Sequence, residues 1–426
     1  MTRPRIAVVG TGISGIACAY LLRDHADLTL YEKQDRPGGH TNTVIVREGS
    51  RQVPVDTGFM VFNRVTYPNL CRFFAELNVE TEPTSMSFGV QHVPSGLEYC
   101  GTGLDGLFAQ RRNILSARHW RLLLAIDRFN KVAPEVLVEP RWERATVAEY
   151  ARARGFASDL LERYLLPMSS AIWSAEADRM LDFPVRTLVG FYRNHGLLGG
   201  LSGHHQWYTV TGGSRKYRDA ALERVEGALR LGCGVKRVRR RQDGRVDVSD
   251  TASGEQVYDR VVLACHADEA LEILDSPTPE ERICLGAFRY QRNSAILHTD
   301  ASVMPRSRRA WSSWNYRIEA DASGRTRATT VYWMNSLQRV SPDRDYFVSI
   351  NDTGHVDPAR VLWRADYEHP IYDPRAVELQ ISRLPALNQG GPVHFSGSYF
   401  GYGFHEDGFV SAVAVARRIA GERVWA

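Results

Sequence analysis

Three glycines, Gly10, Gly12 and Gly15, follow the apolar run Ile6 to Val9 and open a helical stretch from Ile13 to Arg23. A buried strand, a tight glycine turn and a helix make a cradle for a pyrophosphate. The first glycine makes the turn, the second lets backbone approach the phosphates, and the third lets helix and strand pack closely. The phosphates then meet the positive end of the helix, at Ile13 and Ser14. Glu32 ends a second strand, Leu28 to Tyr31. It stands about 20 residues on, where a carboxylate takes the ribose hydroxyls of an unphosphorylated adenosine. A structural glycine turn is the competing reading, but strand, helix and acid all sit in the expected context. Gly38-Gly39, with Lys33, His40 and Thr41 beside it, is a second glycine loop that a simple NAD site does not need, so the cofactor expected is FAD. His40 is either a further donor to the pyrophosphate or a solvent-exposed loop histidine.

A flavin supplies redox chemistry, and the protein must supply position and proton traffic. Histidine is the default proton carrier near neutral pH. His405, followed by Glu406 and Asp407, is the strongest cluster; the competing reading is a helix-capping acid pair with a stacked histidine. His298 stands two residues from Asp300, a spacing that puts both on one strand face. The expected catalytic set is therefore His405, Glu406 and His298. His204-His205 lacks carboxylate or cysteine ligands nearby, and no metal is expected. Aromatic residues exceed what a core requires, and Trp173, Trp207, Trp314, Tyr399, Phe400 and Tyr402 are the expected walls of an apolar pocket.

The elements that must position these groups fit two interleaved regions of one 426-residue chain. The expected fold class is α/β. A Rossmann-like FAD-binding domain takes residues 1–85, 205–285 and 375–426. An α+β substrate domain with a helical insert takes 86–204 and 286–374. Helical periodicity runs from Leu104 to Phe129 and from Val147 to Leu166, with Pro167 and Pro184 as punctuation. A helix is expected from Arg215 to Leu229, and a hairpin turn at Asp243-Gly244 between Val235 to Arg239 and Arg245 to Val248. Residues 288 to 350 alternate as sheet strands, and a final helix is expected from Phe409 to Ile419 after an Asp407-Gly408 turn.

The net charge of +4 is small for this length and gives no reason to expect nucleic acid. No apolar run approaches a membrane span, and glycines interrupt the first ten residues where a signal peptide would need an apolar stretch. A cytoplasmic location is expected. The six cysteines show neither metal spacing nor a disulfide framework.

These features together resemble the flavin-containing amine oxidase superfamily over essentially the full length. The matching pieces are the glycine strand-turn-helix, Glu32, Gly38-Gly39, Asp56-Thr57-Gly58, Gly212-Gly213, the Val261 to Ala264 strand and the C-terminal glycine turn and helix. The resemblance implies an amine oxidase or glutathione reductase type of FAD domain. It implies that Thr57, Gly58, Phe59 and Met60 run beside the flavin. Val235 or Val238 would offer backbone to the adenine, with Ala264 nearby, and Gly401, Asp407, Gly408, Phe409 and Val410 would bring the last helix to the flavin. A narrower resemblance, carried by Gly39-His40-Thr41, Ala171-Ile172-Trp173-Ser174, Leu297-His298-Thr299-Asp300, Ser313-Trp314-Asn315-Tyr316 and the 403–408 stretch, is to a bacterial subgroup of flavoproteins associated with cyclopropane or methylated fatty-acid synthesis.

Two departures narrow the chemistry. Where superfamily members carry Gly-Glu or Gly-Asp, this chain has Gly397-Ser398, so Ser398 or a backbone group must hold the ribitol. The chain also has no lysine after Lys236, so the lysine-water arrangement at flavin N5 is absent and ordinary amine oxidation is not expected. The resemblance thus implies an FAD-dependent oxidoreductase acting on an apolar substrate, an unsaturated or methylated fatty acyl chain. The alternatives are a redox-neutral double-bond isomerase and a non-catalytic flavoprotein partner of a lipid methyltransferase. Gln110 to Arg128 interleaves Arg111, Arg112, Arg118, Arg121 and Arg128 with apolar residues. It reads either as a peripheral contact with the inner membrane surface or as an ordinary domain helix with solvated arginines.

Overall fold

The computed structural model describes residues 3–200, 205–225, 229–320 and 326–426. Its first layer is a five-stranded parallel sheet ordered Leu229–Arg230, Asp27–Tyr31, Arg5–Val9, Arg260–Leu263, Val393–Phe395. The central strands read as unbroken apolar runs because both faces are covered. The helix Ile13–Leu22 packs on one side and is buried along its whole length. The antiparallel meander Val235–Arg240, Val246–Asp250, Glu255–Tyr258 shares a core with the opposite side. Gly244, with φ +81°, turns its first hairpin as Asp-Gly predicts.

A seven-stranded mixed sheet forms the second layer, in the order Val361–Ile371, Arg289–His298, Phe347–Ile350, Thr326–Trp333, Trp314–Ala320, Phe88–His92, Leu97–Cys100. All neighbours are antiparallel except Trp314–Ala320 with Phe88–His92. Helices from residues 103 to 194 cover this sheet.

Helix boundaries depart from the periodicity in informative places. The stretch from Leu104 breaks into Gly103–Leu107, a 3-10 turn at Arg111–Leu115 and the helix Ala117–Val132, which Ser116 caps through its hydroxyl. Pro167 does not end its helix. It lies near the start of Leu166–Trp173, directly after a π-helical turn at Leu161–Leu165. Proline has no N–H and crowds the carbonyl four residues back; that carbonyl, of Arg163, instead accepts the Tyr99 hydroxyl at 2.6 Å. The helix Arg215–Glu223 is shorter than expected, because Leu229 is taken by the parallel sheet. The last helix starts earlier than expected, at His405, so Asp407 and Gly408 belong to its first turn.

Candidate active site

Between the two layers lies a cavity of about 970 Å³. Gly10 turns the chain at one end with φ +97°, and a Cβ there would stand 2.8 Å from the Ala264 carbonyl oxygen. Gly15 lies off the cavity, where a side chain would overlap the Gly10 carbonyl, so it serves helix-strand packing as the motif requires. Gly12 differs from both. A Cβ there would meet nothing within 4 Å, so the protein's own packing does not demand a glycine; the open space beside it does. No side chain caps the Ile13–Leu22 helix, and Gly12, Ile13 and Ser14 line the cavity where its first-turn N–H groups need partners.

Glu32 is buried at the end of its strand and lines the same wall. One carboxylate oxygen accepts from the Thr11 N–H at 3.1 Å and from the Thr11 hydroxyl; the other accepts from Gln34 N–H at 2.9 Å. Three donors fix the carboxylate before any ribose arrives. Lys33 lines the wall beside it and pairs with Glu269. Val235, rather than Val238, borders the cavity; Val238 is buried inside the meander.

The second glycine loop closes over the first. Gly38 donates its N–H to Thr11 O at 3.0 Å and stays off the cavity wall, whereas Gly39 and His40 reach it. His40 is not a solvent-exposed loop residue. Its ring stacks on Tyr367 at 5.0 Å, and its Nε2 is buried without a partner among the described residues. Burial, then the neighbouring His369, His266 and His405, holds its pKa well below the usual imidazole value. Thr57, Gly58, Phe59 and Met60 line the next section, while Asp56 beside them is buried in a structural bracket. The Asp56 carboxylate accepts from Ser214 N–H and hydroxyl, from Thr43 and from Gln338, and burial pushes its pKa up to about 6. Gly397 and Ser398, the pair expected in place of the superfamily's ribitol-holding acid, both line the cavity.

The first turn of the final helix corrects several expectations. Glu406 does not face the cavity. Its carboxylate accepts from Asn69 N–H at 3.0 Å, Asn69 Nδ2 at 2.7 Å and Leu70 N–H at 2.9 Å, capping the helix Pro68–Glu76. Asp407 accepts from Phe404 N–H at 2.9 Å and caps its own helix, and Gly401 gives it room. Gly408 is pressed against Ile13 and Ser14, Phe409 is buried in the core and Val410 is exposed. This turn is spent on capping and packing, and of its expected residues only His405 lines the cavity. Thr41 is buried behind it, bonded to His405 Nε2 at 3.1 Å and to the Tyr217 hydroxyl. Burial lowers the His405 pKa to about 3.

His298 is also a correction. It sits in a separate cluster at the end of its strand, stacked on Phe347, with Nε2 on Ser349 Oγ at 2.8 Å and Nδ1 accepting the Asp300 N–H at 3.1 Å. Both nitrogens are committed, and the ring is not on the cavity wall. Of the six expected wall aromatics, Trp173, Trp207, Trp314, Tyr399 and Tyr402 line the cavity, and Phe400 packs outside it. His204 lies outside the described residues, and His205 bonds the Asn194 carbonyl.

Sequence reading missed the centre of the apolar end. Phe191 stacks on His195 at 3.9 Å and on Phe404 at 5.0 Å, with Trp173 tilted against it at 4.9 Å. His195 Nδ1 contacts the Phe191 carbonyl oxygen at 3.1 Å, a contact only a protonated Nδ1 can make favourably, which leaves Nε2 as the acceptor nitrogen. Burial lowers the His195 pKa to about 4. Phe191 and His195 are one helical turn apart, and that i, i+4 spacing was the available signal.

The residues present fit a flavin dinucleotide. The glycine-lined space, the uncapped helix end and the prepared Glu32 address its adenosine and pyrophosphate. Four cavity-lining residues, His40, His266, Trp314 and Tyr399, carry buried polar atoms without a hydrogen-bond partner among the described residues. A partner in the cavity would satisfy them.

Residues 13–345 match the family described as flavin containing amine oxidoreductase. Solved structures with the same fold include a cyclohexylamine oxidase from Brevibacterium oxydans IH-35A, with a TM-score of 0.69 at 16% identity over 99% of each chain. A wild-type putrescine oxidase bound to putrescine gives 0.67 at 14% identity, over 98% of each chain. A CLA-producing fatty acid isomerase from P. acnes gives 0.66 at 13% identity, covering 97% of this chain and 98% of that one.

Proposed function

The chain belongs to the flavin-containing amine oxidoreductases and is an FAD-dependent enzyme, and we propose that its substrate is an apolar chain, an unsaturated or methylated fatty acyl group. One observation carries this reading. Beyond the cofactor loops the cavity is walled by Met86, Phe88, Met168, Ile172, Trp314 and Tyr332, and no carboxylate stands among them. The acids that do line the cavity belong elsewhere in it. Glu32 is held by Thr11 and Gln34, Glu269 pairs with Lys33, Glu272 stands on the same helix as Glu269, Ala267–Ile273, Asp366 pairs with Arg292, and Glu368 lies 3.6 Å from His266. A cationic amine would enter an apolar chamber with no counter-charge, at a large desolvation cost; an acyl chain would replace water there favourably.

Bound FAD supplies a hydride acceptor. The chain's own residues hold it through the 10–15 and 38–40 loops and Glu32, exclude water with the Phe191, Trp173 and Phe404 stack, and present the His195 lone pair to a donor group or a water in the chamber. The fatty acid isomerase among the structural neighbours favours a second outcome on the same substrate, a redox-neutral shift of its double bond. Anaerobic mixing of the holoenzyme with unsaturated acyl substrates tests both. Flavin bleaching with a product two hydrogens lighter supports dehydrogenation, and a product of unchanged mass supports isomerisation. Bleaching by small amines, with no acyl chain turned over, would overturn the proposal.

A further inference from the structure

The strongest unassigned feature lies on the outside of the helical layer. Leu104, Ile114, Leu115, Trp120 and Leu124 are five of the twelve large apolar side chains exposed among the described residues, and all come from one short segment. Leu115 is 91% exposed, Leu104 69% and Leu124 65%. They form a connected surface. Trp120 Nε1 donates to the Ile114 carbonyl at 2.9 Å and its ring lies 5.1 Å from Phe108, so the 3-10 turn and the following helix are joined. Trp120 and Leu124 are one turn apart on that helix.

The surround is basic. The segment carries five arginines, Arg111, Arg112, Arg118, Arg121 and Arg128, and two acids, Asp105 and Asp127. Arg111 pairs with Asp105, and Arg118 with Asp159. Arg112 and Arg121 donate to the backbone carbonyls of Gly96 and Ala117, and among the described residues neither has a carboxylate at ion-pair distance. The helix's inner residues Leu122 and Ile126 pack, with Leu107, on a cluster that also receives Phe88 and Trp314, two residues of the cavity wall. The exposed patch is therefore the outer side of the layer that walls the cavity.

We propose that this patch docks on an anionic lipid bilayer, with the leucines and Trp120 at the headgroup boundary and Arg112 and Arg121 among the phosphates. Apolar side chains with an aromatic residue, ringed by arginines, match that interface in both polarity and charge. A second copy of the chain fits less well, because a two-fold contact would set one arginine cluster against the same cluster. The proposal stands on the surface alone and does not depend on the substrate being a lipid.

Co-sedimentation of the holoenzyme with phosphatidylcholine vesicles, with and without phosphatidylglycerol, tests it. The protein should pellet with the anionic vesicles and return to the supernatant as salt screens the arginines. Arg112→Glu with Arg121→Glu should weaken partitioning about 30-fold or more, and Leu115→Asp with Leu124→Asp should also release it. All four positions are exposed, so flavin content and melting temperature report whether each variant is folded. The salt titration of the unaltered protein provides a test without variants. Equal recovery in the supernatant with both vesicle types would overturn the proposal. So would pelleting of either folded variant like the unaltered protein, or a concentration-dependent dimer abolished by Leu115→Asp with Leu124→Asp.

Discussion

His405 stacks on Phe59 with ring centroids 3.8 Å apart and planes 17° from parallel, while its Nε2 lies 3.1 Å from both Thr41 Oγ1 and the Tyr217 hydroxyl. Ring and nitrogen are both engaged by the protein, on a side chain whose pKa burial has lowered to about 3. It is a neutral strut between the last helix and the second glycine loop. His405→Phe should therefore keep the ring stack and cost less than the roughly 100-fold in kcat that removing a proton-transfer group costs. The kcat profile should stay flat through the ordinary imidazole range in both proteins. A larger loss, or a limb near neutral pH that disappears in the variant, would restore His405 as the proton carrier.

Glu406 predicts the opposite pairing of effects. Its three accepted hydrogen bonds hold the start of Pro68–Glu76, so Glu406→Ala leaves two backbone N–H groups and an amide short of a partner. The expected cost is about 1–3 kcal/mol of stability, with kcat per bound flavin unchanged. Denaturant unfolding beside turnover measured per flavin separates the two.

Cofactor retention should follow the two ends of the dinucleotide cradle. Gly12→Val fills space that the protein leaves open, so it should yield a folded but colourless protein. Glu32→Ala removes a buried carboxylate that organises Thr11 and Gln34, and at about 1.5–3 kcal/mol for hydrogen bonds to a charged group FAD should bind roughly 10- to 100-fold more weakly. Absorbance of the purified variants and titration with FAD read both. An FAD affinity unchanged in Glu32→Ala would remove that residue from the adenosine site.

Small primary amines and amino acids should reduce the flavin negligibly. The strand Arg289–His298 presents no lysine, Asn293 on it is buried with its amide on His369 at 2.7 Å, and Arg292 pairs with Asp366. Stopped-flow absorbance with such amines at millimolar concentration checks this, and rapid bleaching would contradict it.

Much of this site was legible in the sequence wherever local pattern and chemistry coincide. Residues 10–14, Glu32 and the 57–60 stretch line the cavity because backbone geometry ties each to a strand end. The failures share a different cause. Glu406, Asp407 and His298 are polar residues whose partners lie far along the chain or in the helix's own first turn, and spacing does not reveal which way a side chain is spent. Phe400 alternates out of the wall that Tyr399 and Tyr402 occupy, and His195 was missed because its one signal, the i, i+4 spacing from Phe191, occurs in any helix. Pro167 misled because the compensating donor, Tyr99, comes from a strand more than sixty residues earlier.

Buried imidazoles should make the fold acid-sensitive. Burial lowers the pKa of His195, His298, His369 and His394 to about 4 and that of His405 to about 3, against about 6.5 in the unfolded chain. Between those values the unfolded state binds more protons, so the stabilising contribution is full above pH 6.5 and is lost as pH falls toward 4. Asp56 and Asp407, raised to about 6 by burial, and Asp268 and Glu406, raised by the same cause, act in the other direction, but burial also lowers His40, His92 and His119, so the acids are four against eight imidazoles. Net stability should fall from pH 7 to pH 5. His394 isolates the effect. It lies in the last strand of the parallel sheet, away from the cavity, 2% exposed, with neither ring nitrogen partnered among the described residues. An unpartnered buried polar group costs about 1–3 kcal/mol, and leucine fills similar space. His394→Leu should therefore stabilise the protein at pH 7, and stabilise it further at pH 5, where the unfolded imidazole would otherwise take up a proton. Urea midpoints of both proteins at the two pH values decide it, and a destabilised variant, or a gain independent of pH, would show that His394 is satisfied in the native fold.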